Sequence, residues 1–259
     1  MAWSSNPVDG KYVSFSSVEL YNTCPFKYEQ QYIYKKFGPK NIFVVIGITL
    51  HEIVEGAFST GCFDLEYWAT KVKTMLREVC EKEMPSLLTV TGKGEYMMCY
   101  NSVFDLMEKT FQLLKKNRLA VQIPTSQIEL KLKGKCLGWK IGGKSDLILP
   151  DPNPSFAGWN VLFDIKSSKS ESEVHHYQTL LYREMVPKEL KVKRVGVLYP
   201  ALGKLVISKE EYRMKAAEYL KTAIKGLEKR EFSPMRNKYC QYCHLKEPCP
   251  IYKCRPRKK

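Results

Sequence analysis

Apolar positions in this chain follow two periods, and the change between them falls near Ser126. Before it, they recur every three or four residues, the spacing of one helix face. Ser16 to Lys36 predicts a helix carrying Cys24, Thr49 to Phe58 a helix carrying His51 and Glu55, and Tyr67 to Glu83 a third. In Ser102 to Asn117, Val103, Met107, Phe111 and Leu114 mark the apolar face. The β-branched stretch Asn41 to Ile48 predicts either a short strand or the approach to the next helix. Pro85, Gly92 and Gly94 predict a loop.

After Ser126 the pattern alternates. Ile128, Leu130 and Leu132 are spaced as on a strand, and strands are expected over Leu137 to Ile141 and Lys144 to Leu149, with Gly142-Gly143 between them. A proline-rich loop, Pro150 to Pro154, leads to a strand over Trp159 to Lys166 and a helix over Glu171 to Met185. Arg194 to Tyr199 and Lys204 to Ile207 predict a hairpin. Ser208 and Glu211 form a capping-box pattern opening a helix that runs to about Arg230. The expected architecture is one α/β domain over residues 1–259, helical through 61–125 and cysteine-rich over 232–259.

The chemistry sits on the strands that flank the proline loop. Side chains alternate faces along a strand, so Asp164 and Lys166 share one face and Ile165 takes the other. An antiparallel hairpin centred on Ser155 leaves Asp146 and Asp164 each nine residues from the centre. They then face each other with Cβ atoms about 4.5–5.5 Å apart. Two carboxylates so close repel unless a cation lies between them. Oxygen ligands suit Mg²⁺ or Mn²⁺, and a bound ion together with a neighbouring lysine supplies metal-assisted phosphodiester hydrolysis.

Charge points the same way. Lysine and arginine total 42 against 27 acids, a net charge of +15, which favours polyanionic partners such as DNA. The longest apolar run, Ile42 to Leu50, is shorter than the roughly 20 residues that span a bilayer. The N-terminus shows no secretory pattern, so a soluble, intracellular protein without a membrane partner is expected.

Nine cysteines, an odd count, fit a disulfide framework poorly. Cys240, Cys243, Cys249 and Cys254 crowd the C-terminus, and four thiolates suit either an iron–sulfur cluster or a tetrahedral zinc. Cys62, Cys80, Cys99 and Cys136 read as buried thiols. Two motif matches are set aside. Gly138 to Ser145 fits a phosphate-loop spacing but runs into a strand, and His51-Glu52-Ile53-Val54-Glu55 has a glutamate where a zinc protease needs its second histidine.

Taken together and in order, Gly47-Ile48-Thr49-Leu50-His51, Asp146, Asp164-Ile165-Lys166 and Gln178-x-x-x-Tyr182 resemble the signature of the RecB-like branch of the PD-(D/E)XK nuclease superfamily. Cys240-x-x-Cys243, Cys249-Pro250 and Cys24-Pro25 resemble the cysteine set of those members that carry a 4Fe–4S cluster. These include CRISPR-associated RecB-like exonucleases and AddB-type nuclease domains. The resemblance implies a restriction-endonuclease-like mixed β-sheet flanked by helices. It implies Mn²⁺ or Mg²⁺ on His51, Asp146, Asp164 and the Ile165 carbonyl, with Asp146, Asp164, Lys166, Gln178 and Tyr182 forming the catalytic set. It also implies a cluster on Cys24, Cys240, Cys243 and Cys249, which staples the two ends of the chain by packing 232–259 with the helix around 16–36, and it leaves 61–125 as a helical insertion. The implied activity is exonuclease action on single-stranded DNA or DNA ends, alongside helicase, recombination or CRISPR-adaptation proteins. The alternatives are a non-catalytic DNA-binding subunit that keeps the cluster or holds zinc, and a zinc-ribbon nucleic-acid binder.

Overall fold

The computed structural model describes residues 12–38, 40–136 and 138–253. The chain divides into two compact units. One is drawn from Met1–Pro39, Lys133–Gly143 and Arg213–Lys259, the other from Lys40–Leu132 and Lys144–Tyr212.

In the second unit, helix α1 (Ile42–Thr60) starts where the Asn41 side chain accepts from the Phe43 and Val44 amides, and ends at Gly61 with φ of 70°. The stretch after Asn41 is therefore capped helix and not strand, with Val45 and Ile46 turned into the core while Phe43 and Val44 stay exposed. Val45, Leu50, Ile53, Val54, Ala57 and Phe58 on this helix are all fully buried. It is the one described helix long and apolar enough to cross a membrane, and it packs instead into the core. Helices α2 (Leu65–Glu83) and α3 (Lys93–Lys116) join it there. Helix α3 begins well before the expected Ser102, while the preceding loop keeps a single 3₁₀ turn, Pro85–Leu88.

Strands β1 (Ile128–Cys136) and β2 (Trp139–Pro150) pair with each other. Strand β2 then pairs antiparallel with β3 (Asn160–Ile165), β3 parallel with β4 (Val192–Tyr199), and β4 antiparallel with β5 (Lys204–Ile207), giving a mixed sheet. Alternation divides this sheet. Leu147, Leu149, Val161, Phe163, Ile165 and Leu198 face the core shared with the three helices. Asp146, Ile148, Leu162, Asp164, Val197 and Tyr199 belong to the opposite parity, the side on which helix α4 (Glu173–Arg183) packs against β3 and β4. Gly196 on β4 pairs with Phe163; a Cβ there would lie 2.8 Å from both that ring and the Val206 carbonyl oxygen.

The predicted break at Gly142-Gly143 is absent, since β2 runs unbroken from Trp139 to Pro150. The expected capping box at Ser208 does not form either. The next helix, Tyr212–Glu228, starts four residues later, and the Ser208 hydroxyl is occupied by His176 Nδ1 at 2.9 Å and Thr179 Oγ1 at 3.0 Å.

In the first unit, a three-residue strand, Tyr12–Ser14, pairs parallel with residues 140–142 of β2. The expected long helix after it is broken. Phe15–Thr23 is helical, Cys24 is extended (φ −164°, ψ 101°), and the helix restarts at Pro25 and passes into a π turn, Glu29–Ile33. Proline fits the first position of a helix because it has no amide hydrogen to leave unpaired. Three hydrogen bonds tie this segment to later chain: Tyr21 Oη to the Glu231 carbonyl (2.6 Å), Asn22 Nδ2 to the Tyr219 carbonyl (2.8 Å) and Asn237 Nδ2 to the Thr23 carbonyl (2.9 Å).

Candidate functional site

The hairpin register places the acids. Leu147 pairs with Phe163 and Pro150 with Asn160, so the ladder continued by one pair sets Asp146 opposite Asp164. The intervening loop (residues 151–159) holds this register by internal bonds, among them Asn153 Oδ1 accepting from the Ser155 amide at 3.0 Å. Asp146 Oδ2 accepts the Ile165 amide at 2.6 Å, which fixes its carboxylate across the strand gap. From helix α1, His51 Nδ1 stands 3.5 Å from Asp146 Oδ1.

Asp164 is 2% exposed, Asp146 8%. Lys166, next on the same face, puts Nζ 2.8 Å from Asp164 Oδ2 and donates to Gln178 Oε1 at 2.9 Å. Gln178 Nε2 lies within donating distance of both Asp164 Oδ1 (3.0 Å) and Tyr182 Oη (3.2 Å). One amide side chain therefore holds the ammonium with its oxygen and the carboxylate with its nitrogen. Gln178 and Tyr182 reach the hairpin together because a four-residue step returns to the same helix face. The structure thus brings His51, Asp146, Asp164, Lys166, Gln178 and Tyr182 into one connected network. Ile165 enters through its amide, and its side chain is buried on the opposite face.

The electrostatics fit a candidate cation site. Burial pushes the Asp164 pKa up to about 6; the Lys166 charge pulls it down and the Asp146 charge pushes it up. Tyr182 is raised to about 12, by burial first and then by Asp164. Asp164 Oδ2, shielded from solvent, accepts no hydrogen bond of ordinary geometry, although the Lys166 ammonium is near. A buried, underserved carboxylate oxygen beside a second carboxylate and an imidazole matches the donor set of a divalent ion.

Two further carboxylates were not anticipated. The ligand atoms of His51, Glu55 and Glu129 all lie within 4.8 Å of one another, the one such group of three or more among the described residues. Burial pushes Glu55 up to about 7, with Lys144 opposing and the Asp146 and Glu52 charges adding to the rise. Glu129 is ion-paired to Lys144. The signal for Glu55 was present: four residues after His51 it shares that helix face. Glu129 had none, because only the folded sheet brings it near.

In the first unit, Cys24, Cys240, Cys243 and Cys249 all line one cavity of about 690 Å³. All four are free and half-buried, and Cys240 Sγ accepts the Asn237 amide at 3.3 Å. No three of these sulfurs have all closed to within 4.8 Å of one another. Cys254, the fourth member of the local zinc alternative, lies outside the described residues, as does the side chain of Cys136. Cys80 and Cys99 are buried as expected, but Cys62 is only half-buried, on the loop that leads into α2.

A family model for the PD-(D/E)XK nuclease superfamily matches residues 12–250. Among solved structures, the fold is similar to that of a protein from Eubacterium rectale provisionally named an exonuclease. The two share 15% identity over 98% of this chain and 92% of that one, with a TM-score of 0.56. Comparison with curated proteins returned no match.

Proposed function

Because the chain belongs to the PD-(D/E)XK nuclease superfamily, we propose that it is a divalent-metal-dependent deoxyribonuclease of the RecB-like kind, acting as an exonuclease on single-stranded DNA or DNA ends. The observation that carries the reading is the closed run of contacts from Asp146 through the Ile165 amide, Asp164 and Lys166 to Gln178.

His51, Asp146, Asp164 and the Ile165 carbonyl would hold Mn²⁺ or Mg²⁺. Such an ion, when bound, polarises a phosphate and lowers the pKa of water. The chain's own residues do the rest. Asp146 is clamped by a backbone amide, so it need not reorganise when the substrate arrives. Lys166 is held between Asp164 and Gln178, where its ammonium can orient the attacking water and offset charge developing on the phosphate. Gln178, supported by Tyr182, fixes that lysine and the strand beside it. The surplus of basic residues supplies affinity through phosphate contacts, so binding weakens steeply with salt.

A 4Fe–4S cluster on Cys24, Cys240, Cys243 and Cys249 is part of this reading. What supports it is that these four free thiols, drawn from both ends of the chain, line one cavity. Its role would be structural, tying the segment around Cys24 to the C-terminal segment. Helicase, recombination or CRISPR-adaptation proteins are the partner class that the RecB-like reading implies.

End-labelled oligonucleotides incubated with Mn²⁺, Mg²⁺ or EDTA test the activity. Cleavage by the wild type only with metal, and none by a folded Asp164→Ala variant, is the expected result. Undiminished cleavage by that variant rejects the site. Salt-sensitive binding with no nucleotide release under any condition favours the non-catalytic subunit instead.

A further inference from the structure

We propose that His175 binds the DNA strand, donating a hydrogen bond from Nε2 to a phosphate oxygen close to the cleaved linkage. The proposal rests on the nuclease reading and adds a strand contact that the acidic hairpin does not provide.

His175, Gln178 and Tyr182 stand at positions i, i+3 and i+7 of helix α4, one face of the helix. Gln178 reaches Asp164, so this face looks onto the hairpin. On β4, Val197 pairs with Asp164, and Tyr199 follows two residues later with the same parity, beside Lys166, whose amide donates to the Leu198 carbonyl. His175 Nδ1 lies 3.1 Å from the Tyr199 hydroxyl. The imidazole is therefore held above the end of β4, in electrostatic range of Lys166 and Asp164.

In the proposed contact the Tyr199 hydroxyl donates its proton to His175 Nδ1, its oxygen facing the nearby Ser172 amide. An imidazole that accepts at Nδ1 carries its proton on Nε2. Among the described residues Nε2 has no partner, and the side chain is half-buried. Burial and the Lys166 charge push the His175 pKa down to about 4, so the ring is neutral where nucleases work. What remains is an oriented N–H donor beside the proposed reaction centre, on the face that carries Gln178. A phosphodiester oxygen is the acceptor such a site offers.

A neutral donor releases no counterions, so it contributes affinity without salt dependence. This separates it from the lysines. It also separates a contact from a packing role, because only a contact is coupled to one particular phosphate.

The test measures binding of single-stranded oligonucleotides with Ca²⁺ in place of Mn²⁺, each oligonucleotide carrying one methylphosphonate linkage. The wild type is expected to lose about tenfold in affinity at one linkage next to the cut, the range of a hydrogen bond to a charged group. His175→Ala should bind that oligonucleotide and the unmodified one alike, with an unchanged slope against salt. His175→Gln, which keeps a donor near the Nε2 position, should recover the difference. His175→Phe replaces the alanine variant if that one does not fold. The proposal is overturned if the non-donor variant loses as much as the wild type at every linkage, or if its salt slope falls by a full contact. Cleavage of the unmodified oligonucleotide by wild type and Asp164→Ala is scored separately, so a failure of the nuclease reading is distinguishable from a failure of the His175 contact.

Discussion

Asp164→Asn should make the metal-free protein more stable while abolishing the proposed metal-dependent activity. Asp164 is 2% exposed, and its pKa rises from the usual 3.8 to about 6, a shift already net of the Lys166 attraction. A carboxylate raised on folding carries no penalty below about pH 4, where folded and unfolded chains are both protonated. The penalty grows between about pH 4 and 6 and is complete above that. Two pKa units and a little more correspond to up to about 3 kcal/mol at pH 8. For a chain of this size that is a melting-temperature gain of about 5–10 °C. Asparagine keeps the shape and removes the charge, and Lys166 retains Gln178 as a partner. Thermal denaturation at pH 8 in EDTA reads the effect, and the same scan at pH 4 should show no difference. Adding Mn²⁺ should then raise the wild type and not the variant, since only a competent site gains from ligand binding. A variant less stable than wild type at pH 8 in EDTA refutes the argument: Asp164 would then be an anchor of the fold and not a carboxylate awaiting a cation.

Lys166→Ala should lower single-turnover cleavage by about 10²–10³-fold while keeping Mn²⁺-induced stabilisation, because the lysine acts on the reaction and not on the ion. Since the Lys166 charge holds the Asp164 pKa down, the same variant should shift the acid limb of metal binding, measured by calorimetry, to higher pH. Cys24→Ser should remove the visible absorption expected of anaerobically purified protein and lower its melting temperature; a colourless wild type with stoichiometric zinc rejects the cluster. Gly196→Ala should cost about 1–3 kcal/mol in urea denaturation, because its Cβ meets the buried Phe163 ring and the Val206 carbonyl together.

The acidic hairpin was legible because strand periodicity is rigid. Once a proline loop separates two strands, counting from its centre decides which residues face each other, and the register found, Leu147 with Phe163, is the one that count requires. The four-residue step from Gln178 to Tyr182 was legible for the same reason, as was the likeness that the family match covers. Periodicity failed where local preference and burial disagree. The β-branched run at Ile42 became helix because Asn41 caps it and the core takes its stripe. Gly142-Gly143 stayed in strand because neighbouring strands supply its hydrogen bonds. Ser208 gave up its capping pattern for His176 and Thr179, partners that only the packed helix α4 provides. Glu129 beside His51 and the Tyr199 lock on His175 belong to this second kind. Spacing along a chain specifies which residues share a face of one element. Which element that face meets, and how far the meeting strips water from a carboxylate, depends on contacts between segments distant in sequence, and those exist only in the fold.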